Sequence, residues 1–333
     1  MMFFSKNNSE VDGAIKLSII ILNWNTRELL RGCLAAILRA SFDFVVEIIV
    51  VDNASTDGSV DAISAEFPNV RLIKNKMNEG FAKANNRALN IARGEYLLLM
   101  NSDTIVRDGS VFNRWVTFMD SEPSIGASGP RLIFPDGHHQ VGDAGFKPTL
   151  YSVFNYAFFI SKIAPMFKGL FLNCDRIPKN PIDVDWISGA ALLVRASVAK
   201  MVGYLNEDHF MFAEDIEWGC RIKSFRYRVV YLPFLEIIHL QGQSIKQRER
   251  DESFKFMWMH NLRRLYTVYN PQWQLVLYDC MMNCGFLLRA AVFYIIFVIK
   301  RDAVYKNKSQ KMLACFCEGV RNTNRVIGGR GSA

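Results

Sequence analysis

A chain of 333 residues, half of them hydrophobic and 22% charged, buries enough apolar surface to offset its ordering entropy, which excludes an intrinsically disordered protein. The length exceeds an average domain and fits one α/β catalytic core with a terminal appendage. A formal net charge of +8, scattered between apolar residues, suits anionic partners in general and does not choose among them.

Residues 1–16 carry Glu10 and Asp12 and hold no apolar core of signal-peptide length, so secretion is not expected. Cys33, Cys174, Cys220, Cys280, Cys284, Cys315 and Cys317 form no paired C-x-x-C units, and several lie in apolar runs where a thiol acts as a small hydrophobe. A reducing compartment is the expectation. Residues 17–22 are a β-branched run closed by Asn23-Trp24-Asn25-Thr26 and read as a buried strand. Leu29, Leu30, Cys33, Leu34, Ile37 and Leu38 then fall at helical spacing, with Thr26 as the expected cap.

The pattern repeats, with strands predicted at 45–51, 70–74 and 96–100 and helices at 59–67 and 81–92. Such alternation implies a parallel sheet with helices on both faces, whose ligands bind beyond the carboxyl ends of the strands. Chemistry is therefore expected just after residues 22, 51 and 100.

From 144 to 183 the alternation stops at an aromatic segment, including Phe146, Tyr151, Phe154 and Tyr156, that Lys and Pro interrupt too often for a membrane span. It reads either as a helical insertion on the core or as a surface that meets lipid or a lipid-linked acceptor. A strand at 192–195, a helix at 220–225 and a strand at 229–232 ending in a turn at Pro233 follow. Residues 275–299 are apolar apart from Asp279, Asn283 and Arg289, and Lys300 and Arg301 come after them. A lone spanning helix would bring Arg289 near hydrocarbon at a cost of about 2.5–3.5 kcal/mol, so a monotopic amphipathic helix is favoured, with a buried core helix as the alternative.

The strand tips carry the chemistry. Asp52 ends the second strand and can accept hydrogen bonds from a base or ribose, although N-A-S-T-D-G is also an ordinary turn. Gly80 permits close backbone approach, and the adjacent amides Asn85 and Asn86 need partners, which a ligand or local capping would supply. Asn101-Ser102-Asp103 places a carboxylate on the same edge, suited to a hard divalent cation bridging a diphosphate. Glu214 and Asp215 follow the aromatic run Phe210-Met211-Phe212; a carboxylate beside rings has its pKa raised and accepts a hydroxyl proton, whereas an acid-rich helix start is the plainer reading. His239 is a reasonable further ligand for a borderline cation such as Mn2+.

In this order the motifs resemble the large inverting glycosyltransferase family 2, particularly its bacterial rhamnosyltransferase-like members. They are N-W-N at 23–25, V-D-N-A-S-T-D-G-S at 51–59, N-E-G-F-A-K-A-N-N at 78–86, N-S-D at 101–103, S-G-A at 188–190, E-D at 214–215 and H-x-x-G-x-S at 239–244. The resemblance implies a GT-A fold: an α/β, mostly parallel sheet flanked by helices, with a C-terminal helical, membrane-associated extension. On this reading residues 1–245 are catalytic, with a nucleotide-binding half at 17–105, the aromatic insertion at 144–183 and an acceptor and base half at 184–245. Residues 246–333 are the extension.

The resemblance also implies roles. Asp52 meets a uridine-like base, with Asn23, Asn53, Asn78, Gly80 and Asn85 nearby on the donor. Asn101, Ser102, Gly189 and Ala190 complete the donor site. Asp103 and His239 hold Mn2+ or Mg2+, and Asp215 is the general base, with Glu214 beside it. Asn101 stands where the common D-x-D form has its first Asp, which leaves fewer charges for the cation.

The implied donor is a dTDP- or UDP-linked sugar, possible sugars including rhamnose or another hexose. The acceptor is a hydroxyl of a glycan or polyprenyl-diphosphate-linked molecule, in cell-surface polysaccharide synthesis at the cytoplasmic face of the inner membrane, with no nucleic acid partner. A sugar nucleotidyltransferase would carry a Gly-rich loop after its first strand, where this chain has no glycine until Gly32. A scaffold that had lost the chemistry would lack Asp103 or Asp215, and both are present.

Overall fold

The computed structural model describes residues 14–164, 166–173, 180–240 and 255–328. In chain order the first elements are β1 (Leu17–Asn23), α1 (Arg27–Arg39), β2 (Val46–Asp52), α2 (Ser59–Glu66), β3 (Arg71–Lys74), α3 (Phe81–Leu89), β4 (Tyr96–Asn101), β5 (Thr104–Ile105), α4 (Ser110–Ser121), β6 (Ile125–Ile133) and β7 (Ala144–Gly145). They are followed by α5 (Leu150–Ala157), α6 (Ile160–Ile163), β8 (Ile182–Val184), β9 (Trp186–Ile187), β10 (Ala191–Arg195), α7 (Ala196–Val202), α8 (Glu214–Ser224) and β11 (Arg228–His239). The last helices are α9 (Met257–Tyr269), α10 (Leu275–Lys300) and α11 (Ala303–Gly328).

Packing divides the chain into two units, 1–145 with 174–251 and 146–173 with 252–333. This division differs from one drawn by chain order, because the aromatic segment groups with the C-terminal helices. Arg289 of α10 donates to the Ala157 carbonyl at 2.8 Å and stacks on Tyr156 and Phe159, and Gly285 lies against Ala157. The aromatic rings are thus partners for the one arginine inside the apolar run.

The first unit is built on a sheet of strand order β3-β2-β1-β4-β10-β6-β11-β5, with β8 on β11. Strands β3, β2, β1 and β4 are parallel, β10 runs antiparallel to both β4 and β6, and β11 runs parallel to β6. The sheet is therefore mixed from β10 onward. All of β1 except Leu22 is buried, which explains why it reads as an unbroken apolar run rather than an alternating one. Helix α1 covers one face with Leu30, Cys33, Leu34 and Ile37, and each Leu or Ile so buried contributes about 1.5–3 kcal/mol.

Two local expectations are corrected. Thr26 is the N-cap residue of α1, yet its side chain makes no cap bond; its hydroxyl donates to Asn23 Oδ1 at 2.7 Å, and Asp57 Oδ2 takes the Arg27 N–H instead. Pro233 does not end a strand in a turn. β11 continues to His239, with a register shift between Leu232 and Glu236, because proline has no N–H for the ladder, and Pro130 on β6 lies opposite Leu232.

Candidate active site

The carboxyl ends of β1 and β2 meet in register, Asn23 opposite Asp52. Asn23 Nδ2 donates to Asp52 Oδ1 at 2.9 Å and to Ser55 Oγ at 3.0 Å, and the Ser55 N–H donates to Asp52 Oδ2 at 2.9 Å. Asp52 is 2% exposed, so its carboxylate is held in one orientation by the turn that follows it. Ser55 and Thr26 belong to this network; the polar strand-end tetrapeptide was the sequence signal for Thr26 and the N-A-S-T-D-G turn the signal for Ser55.

Asn53 serves the loop itself. Its amide donates to Asn78 Oδ1 at 3.0 Å and to the Gly80 carbonyl at 3.1 Å, while its Oδ1 accepts from Asn75 Nδ2 and the Glu79 N–H, each at 3.0 Å. The adjacent amides of α3 also find protein partners. Asn85 Nδ2 donates back to the Phe81 carbonyl at 3.0 Å, and Asn86 exchanges hydrogen bonds with the backbone of Leu205. Gly80, at φ +83°, is required by the chain: a Cβ there would sit 2.3 Å from the Phe210 carbonyl, which accepts from the Phe81 N–H at 2.7 Å.

At the end of β4, Asn101-Ser102-Asp103 faces the end of β11. Residues Thr104 and His239 pair across β5 and β11, and the Leu240 N–H donates to the Asp103 carbonyl at 2.9 Å. This brings Asp103 Oδ1 within 3.2 Å of His239 Nε2, and Asn101 Nδ2 lies 3.3 Å from the same nitrogen. Ser102 Oγ is hydrogen-bonded to Thr26 Oγ1 at 2.6 Å, tying the β4 tip to the β1 tip. Gln140, which sequence reading missed, contacts His239 Nδ1 through Oε1 at 2.6 Å. Its only signal was the P-D-G turn at 135–137, which marks a hairpin leaving β6.

A carboxylate oxygen and an imidazole nitrogen 3.2 Å apart are the donor types a borderline divalent cation takes. Among the described residues no group of three or more His, Cys, Asp or Glu side chains is placed to hold a metal. Two protein ligands fit a cation that takes its remaining oxygens from a diphosphate and water. Gly242 and Ser244 of the H-x-x-G-x-S motif lie outside the described residues.

The S-G-A turn links this edge to the second carboxylate pair. The Asn101 N–H donates to the Ala190 carbonyl at 3.1 Å, and the Gly189 N–H donates to Asp215 Oδ2 at 3.2 Å. Gly189 has no room for a side chain, since a Cβ would meet the Phe81 ring at 2.7 Å. α8 starts at Glu214, earlier than predicted, so both carboxylates occupy its first turn, where the helix dipole favours negative charge. Phe212 and Ala213, at φ +68° and +73°, make the sharp approach to this helix.

The two carboxylates differ. Asp215 is partly exposed, and Gly189 and Ile216 N–H groups hold its two oxygens. Burial raises its pKa above the ordinary carboxylate range, against those two hydrogen bonds. Glu214 is 4% exposed, with Oε2 lacking a hydrogen-bond partner, and burial followed by the Asp215 charge pushes its pKa up to about 8. At neutral pH Glu214 carries a proton, and Asp215 is the carboxylate with access to solvent.

The chain is similar to known proteins in sequence and in fold. The family profile described as Glycosyl transferase family 2 matches residues 18–168 of the chain. It is 29% identical over 221 residues to the N-acetylglucosaminyl-diphospho-decaprenol L-rhamnosyltransferase of Mycobacterium tuberculosis strain H37Rv, covering 60% of this chain and 68% of that one. It is 27% identical over 247 residues to the O-antigen biosynthesis protein RfbC of Myxococcus xanthus, covering 70% of this chain but only 18% of that protein. Among solved structures, the fold is similar to the mannosyltransferase PcManGT from Pyrobaculum calidifontis in complex with GDP-Man and Mn2+, with a TM-score of 0.53, 17% identity, and 93% and 88% of the two chains covered. It is also similar to GalNAc-T7 with UDP, GalNAc and Mn2+, at a TM-score of 0.57 and 12% identity, over 82% of this chain and 51% of that one. The mixed α/β core thus resembles the GT-A fold.

Proposed function

We propose that this protein is an inverting, divalent-metal-dependent glycosyltransferase that moves a sugar from a dTDP- or UDP-linked donor to a hydroxyl of a glycan or polyprenyl-diphosphate-linked acceptor. The observation that supports it best is the pairing of Asp103 with His239 at one strand edge and of Asp215 with the S-G-A turn beside it. Asp52, fixed by Asn23 and Ser55, binds the base or ribose. Asp103 and His239 would hold the cation, which would supply positive charge to offset that of the departing diphosphate. Asp215, accessible and held by two N–H groups, takes the acceptor hydroxyl proton as that oxygen attacks the anomeric carbon. Burial of Glu214 favours its protonated form, which leaves Asp215 as the carboxylate available to the acceptor hydroxyl.

The relatives' names suggest the substrate class: one is a rhamnosyltransferase acting on a decaprenyl-diphosphate-linked sugar. Incubating the purified full-length protein with a panel of nucleotide sugars and Mn2+ or Mg2+ should give acceptor-dependent release of nucleoside diphosphate from one donor, with inverted anomeric configuration in the product by NMR. A retained configuration would discard the single-displacement mechanism. Silence across the panel would discard the activity.

The second unit supports peripheral or monotopic association with a membrane, which on this reading is the cytoplasmic face of the inner membrane. The span Gln272–Lys300 is long and apolar enough to cross a membrane by length and composition. The two charged residues inside it turn inward: Asp279 is buried in a paired contact with Arg263 at 2.8 Å, and Arg289 is buried against α5. The outward face of α10 carries Val276, Leu277, Leu287, Leu288, Ile295 and Val298, all exposed. α11 runs back along α10, Lys306 reaching Phe297 and Ser309 reaching Ala290, and exposes Lys306, Lys308 and Lys311. Carrying those lysines to mid-bilayer would cost about 2.5–3.5 kcal/mol each, so α10 lies on the membrane through one face rather than crossing it. Replacing Leu288 and Ile295 together with Glu should release the protein from liposomes containing anionic lipid while nucleotide binding persists, since each lost apolar contact is worth about 1.5–3 kcal/mol. Flotation equal to the parent's would reject this surface, and aggregation with loss of nucleotide binding would mark it as core.

A further inference from the structure

Gln140 makes two contacts with one residue. Its Nε2 donates to the His239 backbone carbonyl at 3.3 Å, and its Oε1 lies 2.6 Å from His239 Nδ1. A backbone carbonyl only accepts, so the first contact fixes which way the amide faces, and the amide oxygen must then meet Nδ1. An amide oxygen accepts as well, so Nδ1 carries the hydrogen. In the neutral ring this leaves the lone pair on Nε2, the nitrogen 3.2 Å from Asp103 Oδ1.

Gln140 is itself held firmly. It is 3% exposed, and its N–H donates to the Leu132 carbonyl at 2.9 Å, on the hairpin that leaves β6. Three residues further on, Asp143 accepts from the Leu132 N–H and the Tyr231 hydroxyl through Oδ2, and His139 Nε2 meets the same oxygen at 2.9 Å. The Asp143 carbonyl accepts the Ser188 N–H at 2.8 Å. The hairpin therefore braces the strand bearing His239 on one side and the S-G-A turn on the other.

We infer that Gln140 is a positioning residue that sets the His239 tautomer and ring orientation, so that Nε2 is presented as a cation ligand beside Asp103. The inference rests on the reading of Asp103 and His239 as cation ligands. It adds a residue outside every motif of the family resemblance, one that acts through His239.

The test compares Gln140→Met, which removes both hydrogen bonds at similar volume, with Gln140→Glu, which keeps an acceptor for Nδ1–H. Two quantities are read on the full-length protein. The first is the His239 tautomer from ¹⁵N chemical shifts in histidine-labelled protein without metal, at a pH where the ring is neutral; with five histidines in the chain, His239→Asn assigns the signal. The second is Mn2+ affinity by electron paramagnetic resonance in saturating UDP or dTDP. Gln140→Met should lose the pure Nδ1–H tautomer and weaken Mn2+ about 10–100-fold, the usual effect of losing a partner that orients a ligand, whereas Gln140→Glu should keep both. An unchanged tautomer and affinity in Gln140→Met, with affinity abolished in Asp103→Ala, overturns the role of Gln140 and leaves the metal reading standing. Unchanged affinity in Asp103→Ala overturns the metal reading and this inference with it.

Discussion

Asp215→Asn is expected to bind the nucleotide sugar nearly as tightly as the parent and to turn it over about 10²–10⁴-fold more slowly, the range typical of a lost general base. Asn keeps an oxygen for the Gly189 or Ile216 N–H and fills the same volume, so the first turn of α8 should persist. Glu214→Gln gives the contrast. Because Glu214 already carries a proton at neutral pH, a neutral amide in its place should leave kcat within a few-fold at pH 7. Single-turnover rates with a defined acceptor separate the two, and equal kcat in Asp215→Asn and parent would reject Asp215 as the base.

The pH dependence has a definite sign. The base must be ionised, so kcat/KM should rise with pH through an acid limb that burial of Asp215 places above the ordinary carboxylate range. For Glu214 the native state keeps a proton that the unfolded chain releases at 4.5, up to about pH 8. Its contribution to stability is therefore greatest below 4.5 and declines as pH rises to about 8. Chemical denaturation of Glu214→Gln should show a shallower decline over that window than the parent, and an identical slope would remove Glu214 as its source.

Asp103→Ala should abolish the Mn2+-dependent part of nucleoside diphosphate binding, a larger loss than the 10–100-fold expected from disturbing a residue that only orients a ligand. Calorimetry with UDP or dTDP, with and without Mn2+, measures it. The residual metal-free affinity should match the parent's metal-free affinity, because Asp52, Asn23 and Ser55 hold one another through hydrogen bonds that do not involve the Asp103 side chain. A variant that keeps the parent's metal dependence would show that Asp103 is not a ligand.

The strands β1, β2 and β4 and the polar residues at their tips were legible in the sequence because apolar periodicity is local and a parallel sheet places its ligands at carboxyl ends. Asp52 and Asp103 were found that way. The reading of Asn53 as a donor contact was not separable from a structural one, because an amide carries no mark of which partner it meets; its four bonds lie within residues 53–80 and close a loop. Gln140 was missed for the same reason: the P-D-G turn marks its hairpin, but its partner lies 99 residues away.

What the sequence determined by itself was the alternation that builds the α/β core, the acid-bearing strand ends and the apolar run at 275–299, all of which follow from patterns within a few turns of chain. Tertiary structure alone decided the antiparallel insertion of β10, which carries the S-G-A turn to the end of β4, and the difference between Glu214 and Asp215, adjacent in sequence yet one buried and one accessible. It also decided that Asp279 and Arg289 of α10 face protein, alongside the buried Tyr278, Met282 and Phe286, because their partners, Arg263 and the Ala157 carbonyl, lie 16 and 132 residues away in the chain. Burial and ion pairing are set by whichever groups converge in space, and nothing in the local pattern of a chain encodes that convergence.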